Sequence, residues 1–459
     1  MNDLCNEDRP IVKIFMIHNK YFLYDTYSNY LFNITRKHYL EIAKLLSMGM
    51  QEYKKREKST KEYRDIEMLL NKGLLKENFV EQIEHPETVF VEDLLQRSIN
   101  DMSLQVTRSC NFNCRYCLYT NEHGFERNHE DRNMTWDVAK SGIDFLYEHS
   151  CDSELIRISF YGGEPLLNFN LISKVVCYAN SIFFSKKVEY SITINGSLLS
   201  DEIIDFFIKN NFMVAISFDG PEKIQNLHRK FGHSGTGTFD VVFNNIKTIR
   251  SKNREYFESN VSFIAVLFDD EDEQEVLRFF RQSDISTKKV LLQKAGLGGI
   301  DYILSYNNSE LQKNNIGQVS GSLMQMFQAI YANKSKIPLK WHHGGPCVPA
   351  VKRLFVDVDG VLYPCEKIVE HKCLAIGSLA NGFETEKIKQ MLNIGKISEK
   401  ECKRCWAFRF CDICVANCND ISQERISSDQ KKLACDNVRK KTLQSMKQYI
   451  ESKYFVNGY

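Results

Sequence analysis

Cys110, Cys114 and Cys117 stand at a C-x3-C-x2-C spacing, directly after a strand-like run from Met102 to Val106. Cysteine thiolates are ligands for zinc and for iron–sulfur clusters, and a four-iron cluster normally takes four of them. Three close cysteines with no fourth nearby indicate a cluster that leaves one iron open to another ligand. A zinc knuckle and a chance grouping of thiols are the alternatives that the triplet alone leaves open.

Strand-like runs alternate with amphipathic helical patterns around and after the triplet. The runs are Leu104–Val106, Ile156–Phe160, Val188–Thr193, Met213–Phe218, Val261–Leu267 and Val290–Gln293. Alternating strands and helices predict an α/β fold with a parallel sheet, and six such units favour a partial (β/α)6 TIM-type barrel over a closed eight-fold one. The chemistry of such barrels lies at the carboxyl ends of the strands, which is where the three cysteines stand.

The next three strands also end in glycine or polar residues. These residues are Gly162, Gly163, Glu164, Asn195, Ser217 and Asp219. Each of them alone is more typical of an ordinary turn than of a binding site. Their recurrence at successive strand ends predicts that they share one mouth of the barrel with the cysteines.

In these four motifs and their order, residues 100–310 resemble the radical S-adenosylmethionine (radical SAM) family. The resemblance implies that the cysteine triplet holds a [4Fe–4S] cluster whose open iron is chelated by SAM. It implies that Tyr116 contacts the adenine and that Gly162, Gly163 and Glu164 face the SAM ammonium.

The same resemblance assigns further contacts to SAM. It implies that Asn195, Ser217 and Asp219 reach the ribose or the methionyl group, and that Arg229 pairs with the SAM carboxylate. One stretch departs from the family, because Gln225 and Asn226 stand where relatives often have histidine and aspartate.

A second cysteine-rich segment lies within residues 340–440. Its cysteines are Cys347, Cys365, Cys402, Cys405, Cys411, Cys414, Cys418 and Cys435. The spacing resembles the SPASM extension, an iron–sulfur domain with two auxiliary clusters, although one gap is a residue shorter than usual and Cys418 is extra. The alternative is a zinc ribbon, since C-x2-C pairs fit tetrahedral zinc equally well.

The SPASM resemblance also implies a division of these ligands. An outer cluster takes Cys402, Cys405, Cys411 and Cys435, and an inner cluster takes Cys347 and Cys365, completed by Cys414 and Cys418. Four other cysteines lack ligand-like spacing and are expected to be small buried residues: Cys5, Cys151, Cys177 and Cys373.

Glu366 directly follows Cys365. Related anaerobic sulfatase maturases have an aspartate at this position that acts as a base on the substrate. The resemblance therefore implies a catalytic base at Glu366, and a loop carboxylate without a chemical task is the alternative.

Residues 1–85 contain three strand-like runs, two helical patterns and a short final strand, which predict a winged-helix-like module. This module resembles the precursor-recognition element of peptide-modifying enzymes, in which a leader peptide adds a strand to an open sheet edge. An ordinary N-terminal cap on the main domain is the alternative. Residues 441–459 are expected to form a C-terminal tail or helix.

Composition limits the remaining possibilities. The 459 residues carry 60 basic and 59 acidic side chains, which does not suggest a nucleic-acid-binding protein. Neither an apolar run of membrane-spanning length nor a signal peptide is present, so a cytoplasmic protein is expected, without membrane attachment. In a reducing compartment, 15 cysteines favour metal ligands over disulfides.

Together these patterns predict a radical SAM peptide maturase with three [4Fe–4S] clusters and SAM. It is expected to bind a ribosomally made precursor peptide through its leader, to form a thioether or carbon–carbon cross-link, and to take electrons from a flavodoxin- or ferredoxin-type donor. The alternatives are a formylglycine-generating enzyme of the anaerobic sulfatase-maturase type and a non-catalytic zinc-binding protein.

Overall fold

The computed structural model of the chain describes residues 8–57, 60–77, 80–117, 129–268, 270–285, 289–296, 299–307, 331–332, 339–342, 347–420 and 423–452. Cys5 and residues 453–459 of the expected C-terminal tail lie outside these ranges. No helix within the described ranges is both long and apolar enough to cross a membrane.

The strands and helices are numbered in chain order. The strands are β1 (Val12–Ile17), β2 (Lys20–Asp25), β3 (Tyr30–Ile34), β4 (Gln82–Ile83), β5 (Asp101–Thr107), β6 (Leu155–Gly162), β7 (Lys187–Ile194), β8 (Met213–Ser217), β9 (Val261–Leu267), β10 (Lys289–Gly296), β11 (Gly299–Asn307), β12 (Lys340–Trp341), β13 (Leu354–Val356), β14 (Val361–Tyr363), β15 (Gly377–Ser378), β16 (Gly382–Phe383), β17 (Asn419–Asp420) and β18 (Arg425–Ile426). The helices are α1 (Arg36–Met48), α2 (Met50–Lys54), α3 (Lys61–Asn71), α4 (Val91–Arg97), α5 (Trp136–Glu148), α6 (Phe169–Ile182), α7 (Asp201–Lys209), α8 (Glu222–His228), α9 (Phe239–Lys252), α10 (Arg254–Asn260), α11 (Asp270–Gln282), α12 (Thr385–Leu392), α13 (Glu399–Lys403) and α14 (Ser428–Ile450).

The N-terminal segment begins with an antiparallel sheet in the order β1-β2-β3, and α1, α2 and α3 follow it. The turn between β2 and β3 ends at Asn29, whose φ of 58° is one that asparagine adopts more readily than most residues. Thr35 caps α1, because its hydroxyl accepts a hydrogen bond from the backbone N–H of His38 at 3.2 Å. The winged-helix-like character of this module stays a prediction.

The main sheet contains eleven of the described strands, in the order β11-β10-β9-β8-β7-β6-β5-β13-β14-β15-β16. From β10 to β5 every neighbouring pair is parallel, which confirms the α/β prediction. β13 adds a further parallel strand on the other side of β5. The closure of this sheet into a partial barrel stays a prediction, as do the domain boundaries.

One face of the parallel sheet is accessible to solvent. In β6, Ile158 and Phe160 are buried, whereas Ser159 and Tyr161 between them are partly exposed. The same alternation continues along β7 and β8, where the partly exposed positions include Ser191, Thr193, Ala215 and Ser217. Parallel sheets are normally covered on both faces, so an open face with small side chains has room for a bound molecule.

The N-terminal module contacts the loop between Cys405 and Cys411. The Arg409 guanidinium donates hydrogen bonds of 2.7 Å to the backbone carbonyls of Thr26 and Tyr27. The Thr26 hydroxyl in turn donates to the Trp406 carbonyl at 2.9 Å. The expected recognition module therefore lies directly on one of the cysteine-bearing loops.

The prediction for two of the spare cysteines was wrong. Cys151 and Cys177 are exposed rather than buried. Cys151 lies in the turn after α5, and Cys177 lies on α6 outside the face formed by its buried residues Val175, Val176 and Ala179. Cys373 is partly buried, and its Sγ lies 3.1 Å from His371 Nδ1.

Candidate active site

The cysteine loop after β5 is held against the segment that follows α8. Phe112 forms an antiparallel bridge with Phe231, and the two rings meet edge to face with centroids 5.0 Å apart. The Arg115 backbone N–H donates to the His228 carbonyl at 3.0 Å. Backbone and aromatic contacts therefore fix the loop at the carboxyl end of the sheet without using the cysteines.

The three thiols of the cysteine loop are the candidate ligands of a metal cluster. Burial raises the pKa of Cys114 to about 12 and also raises the pKa of Cys110, so both are neutral thiols in the absence of metal. Burial lowers the pKa of His129, and its Nδ1–H donates to the Arg108 carbonyl at 3.2 Å. His129 Nε2 then turns a lone pair toward Cys117 Sγ, 3.7 Å away. Three neighbouring sulfurs match the donor set of a cluster with one open iron.

Gly162 and Gly163 allow the end of β6 to lie against the cysteine loop. The Gly163 and Glu164 backbone N–H groups donate to the carbonyls of Thr107 and Ser109 at 3.0 and 2.8 Å. A Cβ atom at Gly162 would lie 2.3 Å from the Thr107 oxygen, and one at Gly163 would lie 2.2 Å from the Ser109 oxygen. Both positions therefore need glycine for close backbone approach.

We expect Gly163→Ala to displace the cysteine loop, because the new methyl group meets backbone atoms that cannot rotate away. The cost should be roughly 1–3 kcal/mol of stability, as for other overpacked sites, together with weaker retention of iron. Chemical denaturation and iron analysis measure the two effects. Gly232→Ala is the matched control, since its Cβ would lie 3.6 Å from the Asn111 oxygen, an ordinary contact. Equal behaviour of the two variants would contradict the steric explanation.

The Glu164 carboxylate is buried and joins two strand ends. Its Oε2 accepts a hydrogen bond from the Asn195 backbone N–H at 2.6 Å, and its Oε1 accepts one from the Leu166 N–H at 3.1 Å. Burial raises its pKa to about 7, against the opposing effect of these two hydrogen bonds. In the metal-free chain Glu164 thus connects the ends of β6 and β7 through hydrogen bonds.

This pKa predicts a pH-dependent stability of the metal-free protein. Because the folded pKa lies above the unfolded value of 4.5, stability contributed by protonated Glu164 is full below pH 4.5 and is lost as the pH rises through about 7. The loss should be roughly 3 kcal/mol. Denaturant unfolding from pH 5 to pH 8 should show this decline in the native chain and not in Glu164→Gln. Parallel pH profiles for the two proteins would contradict it.

Asn195 connects β7 to the cysteine loop through its side chain. Its Nδ2 donates to Asn111 Oδ1 at 2.8 Å, and Asn111 Nδ2 donates to Ser197 Oγ at 2.9 Å. Ser197 closes the ring by donating from its hydroxyl to Asn195 Oδ1 at 2.7 Å. Sequence reasoning missed Asn111 and Ser197, although Asn111 lies inside the cysteine motif.

Tyr116, Asp219 and Arg229 form one buried polar cluster. Arg229 Nε and Nη2 donate to the two oxygens of Asp219 at 2.9 and 3.2 Å, and the Tyr116 hydroxyl donates to Asp219 Oδ2 at 2.8 Å. The Arg229 guanidinium lies 5.1 Å from the centroid of the Tyr116 ring. The three residues expected at SAM are therefore brought together, and Asp219 fixes the other two.

Gln225 holds Asp219 in place, which sequence reasoning also missed. Its Oε1 accepts a hydrogen bond from the Asp219 backbone N–H at 2.8 Å, and its Nε2 donates to Thr238 Oγ1 at 3.0 Å. His228, three residues later, stacks on Phe268 with centroids 3.9 Å apart. The departure from the family at residue 225 thus supports the site in this chain.

Ser217 lies at the same carboxyl end of the sheet as the other site residues, whereas Glu366 lies elsewhere. Ser217 is the last residue of β8 and is partly exposed on the open face. Glu366 forms an ion pair with Arg353, which immediately precedes β13. Because Leu354 is in register with Met102 near the start of β5, Glu366 lies toward the opposite end of the strands from the cysteine triplet.

The C-terminal thiols fall into two neighbourhoods. Burial raises the pKa of Cys411 well above its usual value, and Cys405, Cys402 and Cys435 raise it further. Burial likewise raises the pKa of Cys365 to about 12, with contributions from Cys414 and Cys347.

Cys418 is fully buried and lies near members of both neighbourhoods. Within the described part of the chain, no three His, Cys, Asp or Glu side chains form a group that could enclose a single metal ion. The assignment of these thiols to an outer and an inner cluster stays a prediction.

The sequence matches the radical SAM superfamily over residues 104–282. An uncharacterized protein of Methanocaldococcus jannaschii is 34% identical over 173 residues, which cover 35% of this chain and 57% of that protein. The radical SAM cyclopropyl synthase TigE of Paramaledivibacter caminithermalis is 25% identical over 53% of this chain and 49% of its own length. The chain thus spans about half the length of these two relatives.

A longer match joins the chain to a cysteine-type anaerobic sulfatase-maturating enzyme of Clostridium perfringens, 23% identical over 69% of this chain and 88% of that enzyme. The solved structure of native anSMEcpe with bound AdoMet has a TM-score of 0.55 at 21% identity, over 75% of this chain and 97% of that one. This likeness shows a shared fold. Residues 104–282, with the cysteine loop and the strand-end residues around it, are a radical SAM domain.

Proposed function

We propose that this chain is a radical SAM enzyme that installs a thioether or carbon–carbon cross-link in a ribosomally made precursor peptide. The observation that carries the proposal is the arrangement at the carboxyl end of β5 to β8. There the cysteine loop, the glycine pair and the Tyr116–Asp219–Arg229 cluster meet beside an open sheet face with small side chains. Relatives that are named as a cyclopropyl synthase and as sulfatase-maturating enzymes support it.

The cysteines account for the cofactors of this reaction. Cys110, Cys114 and Cys117 hold a [4Fe–4S] cluster that SAM completes, and the two C-terminal neighbourhoods hold the outer and inner auxiliary clusters. When bound, these groups supply a 5′-deoxyadenosyl radical for hydrogen abstraction and a one-electron acceptor. The chain's own residues position SAM and the peptide and exclude water from the site.

Arg229 has a positioning task in this proposal. Arg229, oriented by Asp219, pairs with the SAM carboxylate and so fixes the cosubstrate in one orientation. Closing a carbon–sulfur bond between a substrate radical and a cysteine thiol releases one proton and one electron. Glu366 is not placed to take this proton, because it pairs with Arg353 toward the opposite end of the strands from the cysteine triplet, and the proton passes to solvent.

The N-terminal sheet offers an edge for the leader of the precursor. Among the described strands β3 pairs with β2 alone, and Tyr30 and Asn33 on it are exposed. An extended peptide can add to such an edge by main-chain hydrogen bonds. Contacts of Arg409 with Thr26 and Tyr27 connect this module to the outer cysteine loop.

Two proline variants test this edge without removing the module, whose Phe15 and Tyr24 are buried against Phe410 and whose deletion would expose them. Neighbouring backbone N–H groups of β3 point alternately to β2 and to the open edge, so Phe32→Pro and Asn33→Pro remove one of each. We expect the variant that removes the N–H group facing the open edge to weaken binding of a labelled precursor about tenfold while keeping the fold. If both variants fold and bind normally, β3 is not the docking edge.

The sulfatase-maturase-like alternative is favoured by the longer match to the Clostridium perfringens enzyme. Co-expression with candidate precursor peptides, followed by tandem mass spectrometry, separates the two products. A cross-linked peptide loses two hydrogen atoms per bond and resists fragmentation between the joined residues. A formylglycine product instead carries an aldehyde that reacts with hydrazines, and finding it would overturn the cross-linking proposal.

A further inference from the structure

Lys431 of α14 is a buried cation in contact with a cysteine of the outer set. Its side chain is 1% exposed, and its Nζ lies 2.9 Å from Cys402 Sγ and 2.6 Å from Ser398 Oγ. Among the residues that the structure describes, no carboxylate forms an ion pair with it. The sulfur is therefore the group that can provide a counter-charge.

A buried ammonium group needs an anion beside it. Removing an unpaired charge from water costs several kcal/mol, and the first turns of a helix, where Lys431 stands, already carry partial positive charge. A protonated Cys402 thiol would not offset this cost. A thiolate that is bound to a metal cluster carries the required negative charge.

Arg439 provides a second cation on the same face of α14. Lys431, Cys435 and Arg439 follow one another at intervals of four residues, which places them in one row along the helix. The Arg439 guanidinium lies near Cys405 and donates to Asp436 Oδ1 at 2.7 Å, whereas Lys431 hydrogen-bonds Cys402. Two cations therefore flank Cys435: Lys431, which contacts the Cys402 sulfur, and Arg439, which is also paired with Asp436.

We propose that Lys431 and Arg439 raise the reduction potential of the outer auxiliary cluster. The inference rests on the proposed function, because it takes Cys402, Cys405, Cys411 and Cys435 as ligands of a [4Fe–4S] cluster. Reduction adds one electron to that cluster, from the 2+ to the 1+ state, without transfer of a proton. The electron comes from the substrate at bond closure and leaves to a one-electron carrier of the flavodoxin or ferredoxin type.

Positive charge and hydrogen bonds at the ligand sulfurs stabilise the more negative, reduced state. The two cations would thus make the outer cluster easier to reduce than it would be without them. The positive charge of α14 near Cys435 therefore helps to set the reduction potential of the outer cluster, which the cysteine spacing alone does not reveal.

The test uses the full-length chain with Cys110, Cys114 and Cys117 replaced by alanine, so that only the auxiliary clusters contribute. Anaerobic redox titration monitored by electron paramagnetic resonance gives one midpoint for each cluster. In this background we compare Lys431→Met, Lys431→Arg and Arg439→Gln. Lys432→Met is the matched control, because Lys432 is exposed and pairs with Asp429 at the surface.

We expect Lys431→Met to shift one midpoint downward by at least a tenfold change in the reduction equilibrium, about 59 mV for a one-electron couple. Arg439→Gln should shift the same midpoint, whereas Lys431→Arg and Lys432→Met should not. Unchanged midpoints in both neutral variants, with iron content intact, would overturn the inference alone. If Lys431→Met does not retain the outer cluster, the midpoint potential of Arg439→Gln tests the inference instead, because the Arg439 side chain is more exposed. Zinc or no metal at these cysteines in the parent chain would overturn the proposed function as well.

Discussion

Replacing Cys114 with alanine is expected to reduce 5′-deoxyadenosine formation from SAM to the level seen without enzyme. The reason is that a four-iron cluster bound by three thiolates has one iron open to SAM. Three thiolates are also the minimum that keeps this cluster bound, so the loss of Cys114 releases it. Total iron should fall by about four atoms per chain, and the C-terminal iron should remain. Chromatographic assay of 5′-deoxyadenosine and iron analysis of anaerobically purified protein measure both effects.

The exposed Cys177 provides the control for this experiment. Cys177→Ala removes a thiol from the surface of α6 and should leave both SAM cleavage and iron content at the native level. Loss of all iron in Cys114→Ala would show that the ligands have been divided wrongly between the clusters. SAM cleavage that survives in Cys114→Ala would show that the triplet is not the site of the reaction.

Asp219→Ala should produce a large loss of stability around the main parallel sheet. It leaves the buried guanidinium of Arg229 without a counter-ion and removes the acceptor of the Tyr116 hydroxyl and of the Val266 backbone N–H. Breaking a buried ion pair in this way typically costs roughly 3–5 kcal/mol. SAM binding should fall with it, because Arg229 loses its orientation. Denaturant unfolding and equilibrium binding of SAM measure the two effects.

A double variant separates the structural and the binding tasks of this pair. Asp219→Leu with Arg229→Met replaces two buried charges with apolar groups and should recover most of the lost stability. It should not recover SAM binding, since the guanidinium that pairs with the SAM carboxylate is gone. A double variant that binds SAM normally would contradict the position assigned to Arg229.

The sequence was sufficient for the parallel strands and for the strand ends that carry the site. Each of the six predicted strands falls on β5 to β10, because short runs rich in β-branched and aromatic residues alternate with amphipathic helical patterns along this part of the chain. Gly162, Gly163, Glu164, Asn195 and Asp219 could be placed near the triplet because carboxyl ends of parallel strands meet at one edge.

Contacts between distant segments could not be predicted in the same way. Asn111 and Asn195 are 84 residues apart, and Arg409 bonds to a turn 383 residues earlier. Such pairs depend on the final packing of the domains rather than on local periodicity. Lys431 and Arg439 were missed for a different reason. Cations at helical spacing usually indicate a solvent-exposed helix surface, and only the structure shows that Lys431 is buried.

The measurement that tests the central claim most directly is SAM cleavage by the native chain. The protein should be purified anaerobically, analysed for iron, sulfide and zinc, reduced with dithionite and supplied with SAM. We expect iron and sulfide in nearly equal amounts, little zinc, and 5′-deoxyadenosine and methionine formed in equal amounts. Zinc in place of iron and sulfide, with no 5′-deoxyadenosine, would contradict the proposal and leave the zinc-binding alternative.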